Sequence, residues 1–209
     1  MQTQDQKIID LHNDTISKDI PGFDIVNKHE SKVHKAFGKL IPNWLKLSTT
    51  LFPKVYSSYT REDVELYPRA YLRMLQHEWV HLKDAMTFFN LLPRRLKWFN
   101  VVMFYISYLF PQILAPLGLL GFTNPWFFLF LLFALPLPAP FRMLAEIRAH
   151  RRSFELGSDV DGIVENFTTS KYYFMWPFKK HVTKMLKNKP SPYLKQMYIT
   201  WKMSTGEPR

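Results

Sequence analysis

The chain has 209 residues, a net charge of +11 and no cysteine, with 47% hydrophobic and 16% aromatic residues. This composition excludes a disordered tail, a collagen-like repeat, a disulfide framework, an iron–sulfur cluster, a cysteine nucleophile and a thiolate zinc site. Any metal must therefore be held by histidines and carboxylates. The mean hydropathy of −0.17 hides a segregation. Residues 98–141, a stretch of 44, contain no Asp, Glu, Lys or Arg. Basic residues flank this stretch, Arg94, Arg95 and Lys97 before it and Arg142, Arg148, Arg151 and Arg152 after it.

The first segment, Met1 to Asp24, is polar and mixed in charge, without a signal-peptide pattern. Weak patterning continues to Ser58, punctuated by Pro21, Pro42 and Pro53; within it, Leu51–Tyr59 reads as a short edge strand. From Pro68 to Asn90 the residues Tyr71, Leu75, Trp79, Leu82, Met86 and Phe89 repeat at helical spacing and predict an amphipathic helix. The uncharged segment follows. It divides at Gly118–Pro125 into two arms, 98–117 and 126–137. A second polar helix is expected from Phe141 to Leu156, stopped by Gly157, and then a loop, Ser158–Gly162, leads into an aromatic, lysine-rich tail. The expected fold class is mainly α, with residues 1–97, 98–141 and 142–209 forming one catalytic domain.

A bilayer-spanning helix needs about 20 apolar residues, a length the first arm reaches. Trp98, Tyr105, Tyr108 and Trp126 are candidates for interfacial anchors, and the basic flanks would keep both ends on the cytoplasmic side. The expectation is a hairpin in a lipid bilayer; the alternative is a core hairpin. In the tail, Phe178, Val182, Met185 and Leu186 fall on one face of a helix over Pro177–Asn188, opposite lysines. That face suits an anionic lipid interface or packing on the domain.

On the first helix stands His77-Glu78-Trp79-Val80-His81. Histidines at i and i+4 share a helical face and can reach one Zn²⁺, and the Glu beside the first can take a proton from the water on that metal. Chance would produce this five-residue pattern in roughly 1% of such chains, so context decides, and here the motif lies on a strongly patterned helix. A third protein ligand would leave one position open. Glu155, Glu165, Asp159, Asp161, His150 and His181 are available, and Glu146 is the best placed, on a helix whose Ala149 offers a small face for close approach. His150, one turn on, would then orient a ligand.

A His-Glu-x-x-His helix, an apolar hairpin and a helix bearing Glu-x-x-Ala together resemble the gluzincin zinc metallopeptidases, most closely the membrane-embedded HtpX-type branch. The resemblance covers residues 68–156 in organisation and about ten positions in identity. It implies a zincin-like core with the hairpin inserted between the two ligand helices, zinc on His77, His81 and Glu146, and Glu78 as general base. The family usually places an Asp four residues after the ligand Glu, where this chain has His150; Asp84 is a candidate to replace it. The runs Tyr108–Gln112 and Phe167–Phe178 are also similar to small phage-encoded proteins of metallopeptidase type. The activity implied is hydrolysis of a peptide or protein substrate, with Tyr172, Tyr173, His181 or His150 stabilising the oxyanion and the edge strand pairing with an extended substrate. Two alternatives stand beside it. One is a non-enzymatic membrane hairpin protein, a phage structural or lysis accessory with a degenerate motif. The other, disfavoured because no nucleic-acid module accompanies the basic residues, is a nucleic-acid binder.

Overall fold

A computed structural model of the protein describes residues 4–40, 43–135, 137–155, 158–169 and 175–187. These are mainly α-helical, with one three-stranded sheet. They fall into two compact units, one ending at Leu82 and the other beginning at Lys83.

The first unit begins with α1 (Gln4–Asp19), in the segment whose mixed charge gave no clear sequence signal. Its Ile9, His12 and Ile16, with Ile20 beyond, turn inward at three- and four-residue spacing and are buried. Gly22, at φ +81°, turns the chain into β1 (Asp24–Asn27), and α2 (Lys32–Leu40) follows. Beyond a 3-10 turn at Trp44–Lys46 come β2 (Thr49–Leu51) and β3 (Lys54–Ser57). The sheet order is β1-β3-β2, with β3 parallel to β1 and antiparallel to β2. Leu51–Tyr59 is therefore not one edge strand. Leu51 ends the edge strand β2, Pro53 lies in the turn where its missing N–H costs no ladder bond, and Lys54–Ser57 is the central strand. A capping box between Thr60 and Asp63 starts α3 (Arg61–Leu66), and Pro68 opens α4 (Pro68–Thr87).

The loop after β1 buries Lys28 completely. Its ammonium donates to the carbonyls of Trp44 (3.3 Å) and Leu47 (2.7 Å) and lies 4.2 Å from the Trp44 ring centroid. Desolvation pushes its pKa down to about 8, opposed by the Glu78 carboxylate. Above pH 8 the unfolded chain therefore carries a proton at this site that the folded chain lacks. Stability should rise with pH from about 8 to 10, by up to about 3 kcal/mol, until the buried Tyr71, its pKa raised by desolvation to about 12, reverses the slope. Urea unfolding of the wild type and of Lys28→Met at pH 7.5, 8.5 and 9.5 checks this; equal slopes in the two proteins would refute it.

In the second unit, α4 ends at Thr87 rather than Asn90. Phe88, Phe89 and Asn90 take left-handed φ values of 43°, 59° and 66°, and Thr87 Oγ1 accepts the Asn90 N–H at 3.1 Å. The buried side-chain amide of Asn100 on α5 (Lys97–Leu109) donates to the carbonyls of Met86 and Pro93. The chain then breaks at Phe110–Pro111 and continues as two 3-10 arms, Gln112–Phe122 and Pro125–Ala134. Side chains close the hairpin over two glycines. A Cβ on Gly118 would collide with Leu131, and one on Gly121 with Phe128. The expected single span over 98–117 is not formed: among the described residues no single helix is long and apolar enough to cross a membrane. Residues 94–109 and 112–122 reach that length and hydropathy only as a pair, bent by 75°.

The second polar helix, α6 (Pro140–Glu155), lies where its sequence predicts. Instead of a loop leading directly to the tail, Asp159 accepts the Gly162 N–H (2.8 Å) and caps α7 (Val160–Thr168). Then comes α8 (Lys179–Lys187). Met143 and Ile147 of α6, Phe167 of α7, Met175, and Val182 and Leu186 of α8 form one core cluster. The apolar face of α8 is thus occupied by protein, which decides between the two readings of that face; Arg151 reinforces the packing by donating twice to the Met185 carbonyl.

Candidate metal centre

All twelve residues from Leu75 to Met86 on α4 are buried, and six of them are polar or charged: Gln76, His77, Glu78, His81, Lys83 and Asp84. Burying so many polar groups on one helix is costly unless they are bonded or used. His77 and His81, 9% and 6% exposed, bring their Nε2 atoms to 3.2 Å. That is a hydrogen-bond distance, one ring donating to the other. It is also the spacing of zinc ligands: two nitrogens at about 2.0–2.1 Å from one tetrahedral zinc lie about 3.3 Å apart. Glu78 leaves the helix beside them and accepts a hydrogen bond from Thr50 Oγ1 on β2. The predicted base is thereby tied to the edge strand of the sheet.

In the second unit, α6 buries Glu146 and His150, 3% and 9% exposed. The Tyr108 hydroxyl donates to Glu146 Oε1 at 2.6 Å, and His150 Nε2 lies 3.8 Å from Glu146 Oε2. Glu146 is therefore not the solvated helix carboxylate its arginine-rich neighbourhood would suggest. Tyr108, expected at a lipid interface, instead turns its hydroxyl onto this carboxylate. Asp84, a candidate from the sequence to orient a ligand, takes a bidentate pair of bonds from Arg148, at 2.8 and 2.7 Å, with its side chain wholly buried.

Of the other sequence candidates, His181 is exposed at the start of α8, where its Nδ1 accepts the Trp176 indole N–H at 2.9 Å. Glu155 pairs with Arg152, Asp159 caps α7, and Asp161 and Glu165 also lie on α7. Tyr172 and Tyr173 lie outside the described residues. Sequence reasoning missed Thr50, Lys28 and the role of Tyr108. For Tyr108 a signal existed: with Val101 and Phe104 it continues the inward face of α5 at three- and four-residue spacing. The donor types on the two helices, imidazole and carboxylate without sulfur, are ones that bind divalent metals, zinc among them. The chain matches no protein-family model, no curated protein and no solved structure.

Proposed function

We propose that the protein is a membrane-associated zinc metallopeptidase of the gluzincin kind, in which His77, His81 and Glu146 hold the metal and Glu78 moves the proton. The observation that carries this reading is the 3.2 Å convergence of two buried Nε2 atoms on α4, with a carboxylate at the next residue after the first. His150, buried one turn after Glu146 on the same helix, is the alternative to His81 in the ligand set. Zinc, when bound, supplies an acidified water and polarises the substrate carbonyl. Glu78 takes a proton from the attacking water, whose oxygen adds to the peptide carbon; the C–N bond then breaks and the proton passes to the departing amine. Thr50 orients the Glu78 carboxylate, and Tyr108 orients that of Glu146. An extended peptide adding to β2 would run past the base.

Metal analysis of the purified protein tests the reading. One zinc per chain is expected, lost in His77→Ala and in Glu146→Ala, whereas a metal-free protein at neutral pH would end it. Comparing His81→Ala with His150→Ala identifies the remaining ligand, since only the true ligand variant should lose stoichiometric zinc. The exposed hairpin also favours a second reading, a non-enzymatic membrane protein with an incidental motif. That reading gains if Glu78→Gln leaves function intact in the native setting.

A further inference from the structure

The uncharged hairpin carries large apolar side chains that stand exposed among the described residues. On α5, Asn100, Val101 and Phe104 face inward and are buried, while Trp98, Phe99, Val102, Ile106 and Leu109 are each 44–66% exposed. A helix that is apolar all round is ordinarily covered all round. The second arm, Pro125–Ala134, has no buried residue at all. At the turn between the arms, Phe122 is 84% and Trp126 77% exposed. Contiguous exposed apolar patches beyond ~300–600 Å² are rare on soluble monomers and mark contact with a partner or a membrane.

We infer that this hairpin dips into a single leaflet of an anionic bilayer, with Phe122 and Trp126 leading and α5 lying along the interface. Length supports one leaflet. Eleven and ten residues of 3-10 coil reach about 22 and 20 Å, short of a hydrocarbon core of about 30 Å. The 75° bend after α5 prevents the first arm from extending that helix across it. Charge supports an anionic surface: Arg94 and Arg95 are exposed immediately before α5, and Lys97 Nζ lies 5.1 Å from the Trp98 ring centroid, where the chain would leave the lipid. Lipid is favoured over a second copy of the chain for two reasons. Seven of the ten residues of the second arm are exposed, with only Phe127, Phe130 and Phe133 partly covered, an extent one flat partner face does not cover, and paired copies would bring like charges together. The inference does not rest on the zinc reading, and its test can be run on Glu78→Gln protein.

Because the chain has no cysteine, Thr123→Cys, at the exposed turn, provides a single reporter. The protein is mixed with vesicles of phosphatidylcholine containing phosphatidylglycerol, and a membrane-impermeant maleimide is supplied either outside or preloaded inside. Labelling from outside should fall at least tenfold on adding vesicles, and no labelling should occur from within. Labelling from within would mean a spanning hairpin and overturn the inference. Unchanged labelling from outside would mean no insertion and overturn it too. Protection already complete without vesicles, in a species of dimer mass, would assign the face to a second copy. As an independent measure, Phe122→Glu with Trp126→Glu should cut vesicle co-flotation at least tenfold while leaving the helical circular dichroism unchanged; undiminished flotation would refute the assignment of the tip.

Discussion

Glu78→Gln is expected to abolish peptide hydrolysis while leaving zinc in place. The substitution keeps the shape of the side chain, and its amide oxygen can still accept the Thr50 hydroxyl proton that positions the carboxylate. What it removes is the ability to take a proton from water and return it to the amine. Positioned general acid–base groups contribute about 10²–10⁴ in rate, so kcat should fall by that factor with little change in KM. Thr50→Val should act in the same direction but less, since it only frees the carboxylate from β2. The measurement pairs zinc content with turnover of a fluorogenic peptide library. Retained zinc with lost turnover assigns Glu78 to chemistry. Loss of both would place Glu78 among the groups that build the metal site, and retention of both would remove the peptidase reading.

The two helices that carry the proposed ligands were legible because their signals are local. Around α4 a six-residue apolar stripe, five of its members within the helix, a proline at the start and the His-Glu-x-x-His spacing all lie within 22 residues. In α6 the start after the proline-rich segment and the polar pattern sufficed. The parts that stayed hidden are those decided by distant partners or by brevity. Strands of three and four residues give too few alternations to separate edge from centre, so Leu51–Tyr59 read as one edge when it holds parts of two strands. The apolar positions of α1 are isolated among charges, and only the core behind them reveals the stripe. Lys28 is a residue type almost never fully buried, and nothing near it in sequence announces the two carbonyls that hold it. Tyr108 and Glu146 meet across 38 positions and Asp84 and Arg148 across 64, distances at which one sequence carries no pairing information.

That last pair carries the largest expected effect on stability. Asp84 is wholly inaccessible, Arg148 is 15% exposed, and the guanidinium grips both carboxylate oxygens in a planar fork. Asp84 stands three residues after His81 on α4, and Arg148 two residues after Glu146 on α6, so the fork holds α6 to the final turns of the helix that bears the histidines. Removing either partner takes the bidentate counter-charge away from an ion that is wholly or largely shielded from water. Asp84→Ala or Arg148→Ala should therefore each cost about 3–5 kcal/mol, and under the proposed ligand set both should weaken zinc binding by loosening the helix that bears Glu146. Replacing the pair together, as Asp84→Leu with Arg148→Met, should recover most of the stability, because an apolar pair of similar volume needs no desolvation. Urea midpoints and competitive zinc titration of the three variants separate the effects. A cost below about 1 kcal/mol for the single changes would place this fork with surface ion pairs, which contribute little. Full stability in the double variant with zinc affinity still lowered would show that the fork's geometry, beyond its contribution to folding, sets the metal site.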